Sequence, residues 1–215
     1  MLAAFTIYFS LALALLLAWY AGFSHYNRRR SRQVLQWIGA AFAGHGKVVG
    51  VRWRGPGEFR ARLELSPNAW FISASVLVRL APRELPLRWF RARMRREPEL
   101  LTFEADLDSP PKHDLEVHRH RWYGRTRRGL HEPEQTERGP VVQLTTRSEW
   151  AREVSHAVQW WRDGAQRAFL NVSFHPASPH FSATLPLAAI TPGSPLRGDL
   201  FPALQELAGA SASRL

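Results

Sequence analysis

From Leu2 to Phe23 the chain is apolar almost without interruption, with Thr6, Ser10 and Gly22 as mild exceptions, and no Asp, Glu, Lys or Arg precedes Arg28. As a helix rising roughly 1.5 Å per residue, such a window covers about 30 Å, the thickness of a bilayer's hydrocarbon core. A helix satisfies its own backbone hydrogen bonds where lipid cannot. Tyr8 stands towards one end, Trp19 and Tyr20 towards the other, where interfacial aromatic belts form. The pattern predicts a single N-terminal transmembrane helix, with residues 1–27 as an anchor.

After the anchor the period changes. Val34, Trp37, Ile38, Ala41 and Phe42 follow the i, i+3, i+4, i+7, i+8 spacing of one apolar helix face, and Gly44 and Gly46 supply a stop. Residues 28–46 therefore read as a basic juxtamembrane amphipathic helix. Its stripe either lies on a membrane surface or packs on the domain, and core packing is the usual fate of such a face.

A period of two then takes over. Lys47 to Arg54 and Glu58 to Leu65 form a hairpin around Gly55-Pro56-Gly57. In the first arm Val49, Val51 and Trp53 share one face; in the second Phe59, Ala61, Leu63 and Leu65 do, opposite Arg60, Arg62 and Glu64. One side of this sheet is polar. Trp70 to Leu80 reads as a strand with Phe71, Ser73, Ser75, Leu77 and Arg79 together. Arg88 to Arg96, with Arg91, Arg93 and Arg95 alternating, reads as another strand, although a short helix fits the run almost as well. Further strands are expected at Leu100 to Asp106, Asp114 to Tyr123, Val141 to Thr145, Ala168 to Phe174 and His180 to Leu185. Arg125 to Pro140 is an aperiodic loop. Thr146 and Glu149 have capping-box spacing for a helix to about Arg162. The class is α+β: the anchor, then one mostly antiparallel sheet domain over residues 47–190 with two or three helices. Residues 191–215 form a Pro- and Gly-containing tail with a short helix from Phe201 to Leu207.

Charge adds a direction. The net charge is +11, and its whole excess lies between Arg28 and Leu100, where 16 Lys and Arg face 5 Asp and Glu. Arg28, Arg29, Arg30 and Arg32 directly follow the apolar span and are assigned to contact with anionic lipid, worth about 1 kcal/mol per basic residue near the surface. Positive flanks remain cytoplasmic, so the domain after the span is expected in the cytoplasm of a single-pass cell-membrane protein. A cleaved signal peptide is disfavoured, because no Lys or Arg precedes the apolar core and bulky Trp19 stands near the candidate cleavage point after Ala21. Ser10, Ala14, Ala18 and Gly22 recur every fourth residue, a small-residue face through which two copies of the helix could associate.

Candidate chemistry is sparse. The absence of Cys excludes disulfides, thiol catalysis and Cys-ligated zinc. His113, His118 and His120, with His175, His180, Asp106, Asp108 and Asp114 in reach by sequence pattern, form the weak metal candidate, since two His and a carboxylate serve hydrolytic or oxygen chemistry. Arg119 and Arg121 beside them would repel a cation. No nucleophile elbow, P-loop, dinucleotide fingerprint or HExxH occurs, so no catalytic residue, resident metal or cofactor is assigned. Basic charge alone gives only non-specific nucleic-acid affinity, and no binding module accompanies it. The expectation is a binding or scaffold domain, meeting lipid and an unidentified protein partner, rather than an enzyme. The alternative is a membrane-tethered metal-dependent enzyme at the His cluster.

Overall fold

The computed structural model describes residues 2–66, 70–111, 114–119, 141–145, 168–194 and 196–212. Its first element is one unbroken helix, α1 (Leu2–Ala41). The apolar and amphipathic stretches, expected as two helices, run together through the Arg cluster. Residues 24–30 contain neither Gly nor Pro, and Arg propagates a helix well. The run ends where Gly44 takes a φ of +86°, which a residue with a side chain adopts only under strain.

Among the described residues eight strands follow: β1 (Gly46–Trp53), β2 (Glu58–Leu65), β3 (Phe71–Arg79), β4 (Leu100–Leu107), β5 (Leu115–Arg119), β6 (Val141–Thr145), β7 (Asn171–Phe174) and β8 (Phe181–Pro186). They form one sheet in the order β1-β2-β3-β4-β8-β7-β5-β6, and each described ladder is antiparallel. The α+β class with a single apolar N-terminal helix is as expected.

Alternation puts one face of the sheet into the core. Phe59, Ala61 and Leu63 of β2, Ala74, Val76 and Val78 of β3, Leu101, Phe103 and Ala105 of β4, and Phe181, Ala183 and Leu185 of β8 are all buried. The cover comes from the second half of α1, a short 3-10 helix (Leu187–Ile190) and a C-terminal helix, α3 (Leu196–Ala212). Val34, Trp37, Ile38, Ala41 and Phe42 are buried there, so the amphipathic stripe does pack on the domain. The rings of Phe42, Phe71, Phe181 and Phe201 surround the core: Phe42 lies 5.9 Å from Phe103 and from Phe201, and Phe71 lies 5.2 Å from Phe103. Burying each such ring removes enough apolar surface to contribute about 1.5–3 kcal/mol.

Four local expectations change. In β1 the pairing steps from Val48↔Leu63 to Gly50↔Arg62, so Val49 is an extra residue; Val48 and Val51 pack inwards and Val49 is exposed. In β3 the pairing steps from Phe71↔Leu107 to Ser73↔Asp106, which turns Ile72 outwards and sends Phe71 into the core, apart from Ser73, Ser75 and Leu77. Both bulges flip a side that strict alternation assigns otherwise.

The basic run is a helix and not a strand: α2 (Pro86–Met94). Pro86 fits its first turn, where a missing N–H is no loss, and Leu, Arg, Ala and Met then propagate it with no β-branched residue. It closes at Arg96, whose φ of 50° lets Glu97 N–H reach the Ala92 carbonyl at 3.0 Å. α3 is also longer than the short helix expected at Phe201 to Leu207. The loop expected at Arg125 to Pro140, the helix expected from Thr146 to Arg162, and the end of the strand towards Tyr123 lie outside the described residues.

Candidate interface at the α1–α2 junction

α1 is long and apolar enough to cross a membrane. Every residue from Ala3 to Ala18 is exposed, and protein first covers the helix at Trp19. From there to Ser31 it is held by two connections, the β1–β2 turn and the segment between β3 and α2.

Asn27 is the centre of this grip and is fully buried. Its side-chain amide donates to Glu84 Oε2 at 2.7 Å and to the Ala81 carbonyl at 3.2 Å. Its Oδ1 accepts from Arg83 Nη1 at 3.3 Å. Arg83 in turn pairs with Glu99 at 2.8 Å and lies over the ring of Tyr26, 5.3 Å from its centroid. One turn further on, the Ser31 hydroxyl donates to the Pro56 carbonyl at 3.1 Å. A Cβ on Gly57 would meet the Asn27 amide at 3.3 Å, so the turn closes against α1 through a glycine. A buried amide with donors and acceptor all engaged fixes a helix more sharply than apolar packing, because its directions are specified.

Nearer the N-terminus the contacts become aromatic. Trp19 and Phe23 stand one turn apart on α1, with ring centroids 4.5 Å from each other. Trp89 of α2 packs on both, at 5.9 Å and 6.4 Å. The Trp19 indole N–H donates to the Arg83 carbonyl at 2.9 Å. Trp89 and the buried Ala92 thus hold α2 against the protein, while Leu87, Phe90 and Met94 are exposed. Spacing by three and four at Leu87, Phe90 and Met94 carried the signal for this helix; the alternating Arg residues mask it.

The residues assigned to lipid contact lie just beyond. Arg28, Arg29 and Arg32 are exposed on α1. Arg30 is half-buried, lies 4.5 Å over the Trp37 ring and donates to Gln33 at 2.9 Å. Ser10, Ala14, Ala18 and Gly22 are exposed along one side of α1, and nothing lies within 4 Å of where a Gly22 Cβ would be.

The His candidates are dispersed by comparison. His113 and His120 lie outside the described residues, and His118 is placed in β5 opposite Asn171 of β7. His175 shares a hydrogen bond of 2.8 Å with Asp114 and approaches Glu116 at 3.7 Å. His180 Nδ1 accepts from the Leu107 N–H at 3.2 Å. Asp106 accepts the Ser73 hydroxyl at 2.8 Å, and Asp108 is exposed. The Ser178 and Ser73 hydroxyls, with His180 adding, hold the Asp106 carboxyl below the usual carboxylate range against the opposing effect of burial. Among the described residues no three His, Asp or Glu side chains are grouped to hold a metal ion.

On the polar sheet face Arg60 pairs with Glu104 at 2.9 Å, and Thr102 and Thr184 share a hydrogen bond of 3.1 Å. These side chains pair across strands and present no nucleophile beside a base. No protein-family model matches the chain, and no curated protein matches it significantly.

Proposed function

We propose that the protein is a single-pass membrane protein whose α1 crosses the bilayer between Leu2 and Phe23 and carries an α+β binding or scaffold domain in the cytoplasm. The observation that supports it most is the bare apolar surface from Ala3 to Ala18, on the same helix whose stripe from Val34 to Phe42 is buried in the domain. A soluble chain rarely leaves so large an apolar surface uncovered. Arg28, Arg29 and Arg32, at the end of the span, favour the cytoplasmic side for the domain and would meet anionic headgroups. The exposed face of Ser10, Ala14, Ala18 and Gly22 is available for pairing two copies within the bilayer. A metal-dependent reaction at the His cluster has no geometric support among the described residues.

The test is extraction and protection. The full chain should stay with membranes through alkaline carbonate and high salt, and added protease should reach the domain only after the cytoplasmic side is opened. Release by salt, or digestion of the domain from outside intact cells, would defeat it.

A further inference from the structure

We infer that α2 is a second membrane element: a short amphipathic helix lying in the bilayer interface beside the end of the span, with Leu87, Phe90 and Met94 in the acyl region. It rests on α1 crossing a bilayer as proposed above.

Three independent features converge on it. The first is depth. The uncovered part of α1 from Ala3 to Ala18 is about 24 Å long at 1.5 Å per residue, short of a hydrocarbon core of about 30 Å. The hydrocarbon boundary therefore falls near Trp19 to Phe23, and these are the two rings on which Trp89 is seated. α2 is fixed at the level where acyl chains meet headgroups.

The second is the face that α2 turns outwards. At about 100° per residue, Leu87, Phe90 and Met94 fall within an arc of about 60°. Trp89 and Ala92, which hold α2 on the protein, lie on the opposite side. The outward arc is unusually bare: Leu87 is 87% exposed, Met94 71% and Phe90 59%. Three large apolar side chains on one short helix, left largely exposed beside the described residues, are matched by an apolar medium.

The third is charge. Arg88 and Arg91 flank the apolar arc on one side and Arg93 on the other, and all three are exposed. Long guanidinium side chains beside an inserted ridge reach back to phosphates, the arrangement of interfacial helices on anionic lipid. A protein partner would have to be equally greasy at its centre and acidic on both sides. The bilayer is already present at this depth, and it supplies both.

With α1 and α2 both held by lipid, the domain cannot swing freely about one helix. The Asn27, Arg83 and Glu99 connections then fix how the sheet stands over the membrane.

The native chain has no Cys, so single substitutions report cleanly. Nitroxide labels at Leu87→Cys, Met94→Cys, Arg91→Cys, Leu16→Cys and Lys47→Cys would be placed in the full chain in vesicles of phosphatidylcholine and phosphatidylglycerol. Collision rates with oxygen and with a water-soluble nickel chelate would then be measured. Labels at 87 and 94 should show an oxygen-to-chelate ratio several-fold above those at 47 and 91, approaching that at 16. A label at 16 in lipid with 87 and 94 in water overturns the α2 inference and leaves the anchor standing. All of 16, 87 and 94 in water removes the anchor and with it this inference. Labels at 87 and 94 shielded from both reagents indicate a protein-covered face, and that result also overturns it.

Discussion

The indole of Trp19, on the apolar half of α1, donates a 2.9 Å hydrogen bond to the carbonyl of Arg83, sixty-four residues away in the segment that opens α2. The bond ties the end of the candidate span directly to the folded domain, with no flexible linker between them. Trp89 of α2 packs at a tilt against the same indole, so the span, the entry segment and α2 meet at one residue.

Trp89→Ala removes the ring that seats α2 on Trp19 and Phe23 while leaving the sheet untouched. We expect α2 to come loose and trypsin to cut among Arg88, Arg91 and Arg93 several-fold faster in detergent-solubilised protein. Cleavage elsewhere should keep its wild-type rate, because the described core does not involve Trp89. Cleavage at the wild-type rate would show that α2 is held by something other than this ring.

Asn27→Ala deletes a buried amide and leaves Glu84 and the Ala81 carbonyl without its donors. Orphaning buried polar groups costs about 1–3 kcal/mol, so the urea midpoint followed by Trp fluorescence should fall accordingly. Arg83 keeps Glu99, so Asn27→Ala and Glu99→Gln together should cost more than either alone, and by a non-additive amount. Strict additivity, or a change below about 0.5 kcal/mol for Asn27→Ala, would mean that the network does not clamp α1.

Asp106 gives the fold an acid limb with a defined sign. Its carboxyl is held below its ordinary value, so the unfolded state binds the proton first as pH falls. The stabilisation is complete above that ordinary value and disappears as pH drops through the lower folded value. Asp106→Asn should therefore be less stable than wild type at neutral pH, and the two should converge in strong acid. Urea midpoints that stay parallel from pH 7 to strong acid would rule this contribution out.

Replacing Ala14 and Ala18 by Leu should abolish self-association of α1 in a membrane two-hybrid assay, because bulky side chains keep two helix backbones apart. The fold of the domain should not change, since this face is exposed throughout. An undiminished signal would place any contact between copies elsewhere.

Much of the fold was legible because local rules agreed with burial. Glu58 to Leu65 alternates cleanly, and β2 has those bounds. The stripe from Val34 to Phe42 could be read as a packing face from spacing alone, and it is one. The errors fell where a local pattern had two solutions. Alternating Arg91, Arg93 and Arg95 satisfy a strand's period, but the spacing of Leu87, Phe90 and Met94 satisfies a helix, and Pro86 with good helix formers decides for α2. Val49 and Ile72 are bulge residues, and a bulge depends on the partner strand, which sequence periodicity does not contain.

By itself the sequence determined the apolar front, the arginines that follow it, the hairpin and the α+β class, because each depends on side chains near one another along the chain. Only the tertiary structure decided that α1 is a single rod shared by the apolar span and the core. It alone brought Asn27 to Arg83 and Glu84, and Trp89 to Trp19, since those pairings join segments more than fifty residues apart. The exposed ridge on α2 became visible in the same way: an apolar side chain is notable only once the fold has left it exposed.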